Sequence, residues 1–391
     1  KDIFRQQAGG ILGMFNMFAG GALGRMTIFA LNIMPYISAA IIMQLMTSIS
    51  PSMSQLKKEG AQGQKKINQY TRYLTVLIAA MQAYGMAVGI EGMRGSGGSA
   101  VINPGGFFRF TAVITLVGGT MFLMWLGEQI TARGVGNGIS LIIFAGIVAE
   151  LPSALAGTLE LGRTGAISTG IIMAILIMVV FVIYGIVFVE RGQRRLVVQY
   201  PKRQQGNKMY GGENSHLPLK LNTSGVIPLI FASSLLLMPT TVISFMANSG
   251  PEWLTTVSSL LGRGQPSYLI IYSALIAFFA FFYTAVVFNP EETADNLKKN
   301  GGFIPGIRPG KNTAEYLEYV TTRLTVVGAI YLVAVALLPE ILISNWSVPF
   351  FFGGTSLLIV VTVTMDTVAQ VQSYMLAHQY EGLIKKSRLK G

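Results

Sequence analysis

Residues 168–189 read STGIIMAILIMVVFVIYGIVFV, an unbroken stretch with no charged side chain. A helix crossing the ~30 Å hydrocarbon layer of a bilayer needs about 20 apolar residues in succession. This stretch meets that requirement, and it lacks the period-two alternation of a half-buried strand. Eight further runs share its character: 28–50, 72–92, 108–127, 138–152, 225–248, 268–288, 324–343 and 352–372. The 391 residues are 51% hydrophobic and only 12% charged, about half the charge of a soluble domain. The exterior is therefore expected to face lipid.

Before the first run, residues 8–24 (AGGILGMFNMFAGGALG) are apolar but glycine-rich. Glycine weakens a helix by about 1 kcal/mol per residue, so a short helix that enters the interior without spanning is expected. The start Lys1-Asp2-Ile3 has neither an initiator Met nor the shape of a signal peptide, so the sequence reads as beginning inside a longer chain.

Basic residues are distributed by side. The alternate connections 51–72, 128–137, 190–223, 289–323 and 373–391 carry 22 of the 29 Lys and Arg, and the opposite set carries 7. This asymmetry places the first set, with the C-terminus, in the cytoplasm. It also accounts for most of the net charge of +12, which would otherwise suggest a nucleic-acid binder. Two of these connections, 190–223 and 289–323, are far longer than helix–helix links usually are. The first carries seven basic residues and alternates near 195–200, which suggests a short hairpin. The second holds Arg308 within Pro305-Gly306-Ile307-Arg308-Pro309-Gly310, a rigid turn. Long cationic segments at a membrane face suit a large partner, including an anionic one such as RNA.

Enzymatic chemistry finds little support. Cysteine is absent, which removes disulfides and thiolate chemistry. His216 and His378 both lie outside the apolar runs, so neither serves a buried metal cluster. Gly310-Lys311 lacks the following Ser or Thr of a phosphate loop, and Gly134-Val135-Gly136-Asn137-Gly138 departs from the dinucleotide pattern. No cofactor or metal is expected. An ion-coupled transporter would hold ionisable groups at mid-membrane, whereas Asp366, near a cytoplasmic end, is the one acid clearly inside a run. A secondary transporter of a small solute is the alternative reading. Gln44, Gln82 and Asn222 are the notable polar residues in or beside the runs; such groups most often make interhelical hydrogen bonds.

A weak duplication relates Asn32-Ile33-Met34-Pro35-Tyr36-Ile37-Ser38-Ala39 to Gly225-Val226-Ile227-Pro228-Leu229-Ile230-Phe231-Ala232, 193 positions apart. The separation is five runs, an odd number, so the two halves would be inverted in the membrane. Isoleucines recur at helical spacing in Ile33 and Ile37, and again in Ile139 and Ile143, with Ile230 and Ile359 inside other runs. Isoleucine in a membrane helix ordinarily contacts lipid. The other reading is an apolar ring of stiff β-branched side chains that closes a pore by dewetting.

Several long strings resemble one family. They are MFNMFAGGALGRMTIFALNIMPYISAAIIMQL (14–45), FTAVITLVGGTMFLMWLGEQITARGVGNGISLIIFAGIVA (110–149), VERGQRRLVVQY (189–200), VFNPEETADNLKKNGGFIPGIRPG (287–310) and FFGGTSLLIVVTVTMD (351–366). Together they are similar to bacterial SecY, the pore subunit of the Sec protein translocase, over nearly the whole chain. The resemblance implies an all-α polytopic membrane protein, a bundle of two inverted halves around an hourglass pore with a plug. Members have ten spans; nine are visible here, the first being the one without a counterpart. The halves would be 1–167, with plug and spans two to five, and 168–391, with spans six to ten, both long loops and the tail 373–391.

By position, the resemblance implies a pore ring of Ile33, Ile37, Ile139, Ile143, Ile230 and Ile359. It implies a plug that includes Met14, Phe15, Asn16, Met17, Phe18, Gly20, Gly21 and Arg25. The lateral gate, between runs 28–50 and 72–92 and runs 225–248 and 268–288, would hold Ser38, Gln44, Gln82 and Asn222. Arg308, with Arg194, Arg195, Lys202 and Arg203, would dock cytoplasmic partners. Implied partners are SecE and SecG subunits, the SecA motor, the ribosome with its RNA, signal sequences and nascent chains. The implied location is the bacterial cytoplasmic membrane, and the implied activity is passage of unfolded polypeptides and lateral release of apolar ones, without catalysis.

Overall fold

The computed structural model describes residues 21–22, 27–92, 94–95, 98–99, 101–165, 168–200, 203–205, 208–210, 214–246, 265–346 and 354–388. Each of the nine apolar runs is carried on a helix. The first half holds α1 (Met34–Ile49), α2 (Pro51–Lys58), α3 (Ala61–Gly92), α4 (Gly106–Arg133) and α5 (Gly138–Arg163), with a two-residue ladder β1 (Arg94–Gly95) and β2 (Gly98–Ser99) after α3. Then follow α6 (Thr169–Arg191), the strands β3 (Gln193–Gln199), β4 (Arg203–Gln205), β5 (Lys208–Tyr210) and β6 (Asn214–Lys220), and α7 (Ile227–Met246). The chain continues through α8 (Pro266–Val287), α9 (Pro290–Lys299), α10 (Lys311–Trp346) and α11 (Gly354–Arg388).

Among the described residues, seven helices are long and apolar enough to cross a bilayer, and α1, with 16 residues, is a shorter apolar helix. The surface is inverted relative to a soluble protein. Only 17% of the apolar stretch of α6 is buried, and Ile177, Val180, Phe181, Tyr184 and Phe188 stand exposed along it. Side chains of this size would be costly in water and are at rest in lipid.

Several helices outrun their apolar runs. The run at 324–343 sits on α10, whose 36 residues extend about 54 Å; the run at 72–92 sits on α3, which starts at Ala61. Segments expected as connections, 51–72 and 289–323, are thus largely helical. Hydropathy detects only the part of a helix that meets lipid, while a helix continues into water wherever its polar residues permit it. Local chemistry fixes the starts. Asn289 caps α9 by accepting from the Glu291 and Glu292 amides, followed by Pro290, with acids in the first turn and Lys298 and Lys299 in the last. Asn137 likewise accepts from the Ile139 and Ser140 amides and sets the start of α5.

Helix contacts define two seams between the halves. α7 packs against both α1 and α3, and α5 packs against α11. Within the first half, α4 lies on α3 and α5; within the second, α8 lies on α7 and α10. Close approach requires glycine at Gly119, where a Cβ would strike the Ile28 carbonyl, and at Gly138, where it would strike that of Gly127.

Candidate functional site: an apolar centre, a polar seam and a basic platform

The run at 28–50 is not one helix. Residues 28–33 form turns, and Asn32 adopts a left-handed backbone with φ 48°. A regular helix begins only at Met34, with Pro35 in its first turn, which leaves α1 about 24 Å long. The same construction recurs before α7: Gly225 has φ 62°, and the helix starts at Ile227 with Pro228 next. Asn32 and Gly225 are the first residues of the two segments related by the 193-residue duplication. The correspondence extends to hydrogen bonds, Ile37 N–H to the Ile33 carbonyl and Ile230 N–H to the Val226 carbonyl. A match only three identities deep in sequence is a shared backbone conformation in space.

Both helices contribute isoleucines to the main apolar core. Ile33, Ile37, Ile143, Ile230 and Ile359, from the start and body of α1, from α5, α7 and α11, are all buried in a single apolar cluster, and Ile139 packs partly buried against it. None of the five is more than 8% exposed. These six side chains face protein rather than lipid.

Polar groups mark the α1/α3–α7 seam. Ser38 is buried, and the Ser234 hydroxyl of α7 donates to the Met34 sulfur of α1 at 3.9 Å. The Gln82 Oε1 atom is buried without a hydrogen-bond partner. Gln44 is half-buried, and its carbonyl accepts from Thr47 at 2.7 Å. Asn222 is engaged elsewhere: both of its amide protons are used, one on Glu190 Oε1 at 2.7 Å and one on the Gly225 carbonyl at 3.1 Å. Glu190 was not singled out in the sequence, although a lone acid closing the most apolar run was a usable signal.

Of the plug segment only Gly21 is described; Met14, Phe15, Asn16, Met17, Phe18, Gly20 and Arg25 lie outside the described residues. Gly21 is buried with φ 76°, in a place where any side chain would run into the Glu150 carboxylate of α5.

At the other end the two long connections form one platform. β3 pairs with β6 over seven residues, from Gln193 opposite Lys220 to Gln199 opposite Asn214, a longer hairpin than the alternation at 195–200 suggested. β4 pairs with β5. Gln199 and Phe303 then exchange two backbone hydrogen bonds, 2.9 and 3.0 Å, which stitches the hairpin to the second connection. A second apolar core beneath joins Leu196 and Leu219 to Ala294, Ile304, Ala314, Leu317, Val320 and Leu324. On this base Arg194 and Arg195 are exposed on β3. Arg308 is exposed on a turn held by Gly306 (φ 81°), Gly310 (φ 107°) and the Thr313 hydroxyl bonded to the Arg308 carbonyl at 2.9 Å. Lys202 lies outside the described residues, and of Arg203 only the backbone is described.

Fold and site together define a polytopic α-helical membrane protein in which helices that begin at left-handed turns share a buried apolar core, and the two long connections form a basic platform. The SecY family's sequence model matches residues 27–368. The chain is 57% identical over 390 residues to the protein translocase subunit SecY of Escherichia coli (strain K12), covering 100% of this chain and 88% of that protein. It is 58% identical over 385 residues to that of Rickettsia conorii, covering 98% and 89%. Among solved structures, one described as a protein conducting channel superposes with a TM-score of 0.70 at 18% identity, covering 92% of this chain and 84% of that one. Canine Sec61 in a ribosome–channel complex gives 0.65 at 18% identity, with the same coverages. The chain belongs to the SecY family.

Proposed function

We infer that this chain is the channel subunit of a protein translocase, a passive conduit and not an enzyme. It conducts unfolded polypeptides across a membrane and releases apolar segments sideways into lipid. The observation that carries this reading is the gathering of Ile33, Ile37, Ile143, Ile230 and Ile359 from four parts of the chain into one buried cluster. A collar of this kind blocks ions by dewetting and offers a passing chain no hydrogen bond to hold. Residues 1–167 and 168–391 act as two halves, hinged between α5 and α6 and opening along the α1/α3–α7 seam. Unsatisfied Gln82 makes the closed seam costly, so a sufficiently apolar segment tips the balance toward opening. The plug, including Gly21, sits below the collar.

The partners follow from the family and from the platform's chemistry. Relatives solved as ribosome–channel complexes support docking of a ribosome on Arg194, Arg195, Lys202, Arg203 and Arg308, with a SecA motor using the same surface. SecE and SecG subunits complete the assembly in a bacterial cytoplasmic membrane. The 22:7 division of basic residues supports a cytoplasmic C-terminus.

The test is reconstitution of the complete complex in vesicles with Ile230→Asn or Ile359→Asn. Both variants should still pass a preprotein and should leak ions more than the parent. Ion leak equal to the parent in both would remove the collar, and saturable uptake of a small solute in place of protein passage would remove the channel reading.

A further inference from the structure

α7 carries Ile230 and one face of the seam, so whatever fixes the entry to α7 sets how readily the seam opens. The entry is residues 221–226, and three helices hold it. From α6, the Glu190 carboxylate accepts the Asn222 amide at 2.7 Å. From α10, Gly328 leaves room for the strand to cross: a Cβ there would lie 3.1 Å from the Leu221 carbonyl oxygen and 3.6 Å from the Asn222 Cα. From α11, Asp366 reaches Lys220 at 4.0 Å, with both side chains well exposed, a weak surface pair. The Leu221 amide donates to the carbonyl of Gly192, just past the end of α6, at 3.0 Å, and the Thr223 hydroxyl donates to the Lys220 carbonyl at 3.1 Å. Asn222 donates to the Gly225 carbonyl, and the Ser224 hydroxyl donates to Asn222 Oδ1 at 3.0 Å. Asn222 and Ser224 are buried. Beside the Leu221 backbone bond, the turn at Gly225 has, among the described residues, one side-chain hydrogen bond to a neighbouring helix, from Asn222 to the Glu190 carboxyl of α6.

We propose that Glu190 is a positioning residue for the gate, a latch that holds the entry of α7 through Asn222 and thereby sets how apolar a signal must be to open the seam. This rests on the channel reading above. Breaking the latch leaves the collar residues in place and lowers the threshold for opening.

The experiment uses the complete translocase and two substrates, one with an intact signal sequence and one with a signal shortened in its apolar core. Glu190→Ala should raise passage of the defective substrate on the order of tenfold, the factor expected for loss of a charge-assisted hydrogen bond. Passage of the intact substrate should be maintained. Glu190→Gln keeps an oxygen that accepts from Asn222 and should restore stringency toward the parent. Asn222→Ala should relax stringency as Glu190→Ala does, and the double variant should relax it no further, because one bond is broken once. It also carries the test should Glu190→Ala fail to accumulate. Unchanged rejection of the defective substrate by either alanine variant, with intact substrate still passing, would overturn the latch. So would additive effects in the double variant. Failure of the unaltered complex to pass intact substrate would overturn the channel reading itself, and the latch with it.

Discussion

At the scale of residues, Asn32 shows how much a single backbone angle decides. Its φ of 48° breaks the first apolar run and shortens its helix to the 16 residues of α1. Left-handed backbone costs most residues about 1–2 kcal/mol, and asparagine is among the few that adopt it routinely. Its side chain also accepts from the Ile33 amide at 2.8 Å. Asn32→Val should therefore lower the melting temperature of the detergent-solubilised complex, by a ΔΔG of about 1–2 kcal/mol or more. Asn32→Gly keeps the backbone, loses only the acceptor and should fall between the two. A valine variant melting with the parent would mean the turn is not a constraint. The residue types at 32 and 225 were legible in the sequence, but their shared conformation was not, because asparagine and glycine adopt left-handed backbone without requiring it.

At the scale of elements, the platform is a small α/β unit appended to a membrane bundle. β3 alternates in burial from Leu196 onward, with Leu196 and Val198 inward and Val197 outward, so the hairpin has an apolar underside to lay on the base of α10. That packing pins the Arg308 turn. A charge on a turn fixed at both ends by left-handed glycines pays little entropy on docking, which is the physical reason for rigidity at a contact point. Arg308→Glu should leave the amount of assembled complex unchanged and reduce motor-driven export severely, measured on the same membranes. Export at the parent level would remove Arg308 from docking. Positive charge and turn chemistry at both connections were visible in the sequence. That the two are stitched through Gln199 and Phe303 was not, since backbone pairing across 104 residues has no side-chain signature.

At the scale of the whole molecule, α7 meets α1 and α3 along one seam, and α5 meets α11 along another. The seam of α1 and α3 against α7 is lined by small or flexible side chains, Ser38, Met34 and Ser234, and carries a buried unpaired amide oxygen at Gln82. The proposed function requires this seam to part. The absence of native cysteine allows a clean test: Met34→Cys with Ser234→Cys, whose native side chains touch at 3.9 Å, joined by oxidation or a short crosslinker. Joined complexes should lose passage of preprotein, and reductant should restore it when the link is a disulfide. Passage unaffected by a complete crosslink would show that the chain crosses without this seam opening.

Nine apolar runs and the type of residue at each position followed from one-dimensional chemistry, because lipid imposes a length and a polarity on every segment it surrounds. Which isoleucines face inward did not follow from it. Isoleucine is equally at home against acyl chains and against other side chains, so its partners are chosen only when helices from distant parts of the chain close around a common centre. The same holds for Glu190 and Asn222: each is an ordinary polar residue at a helix boundary, and their hydrogen bond exists because the hairpin between them folds back and returns the chain to where it left α6.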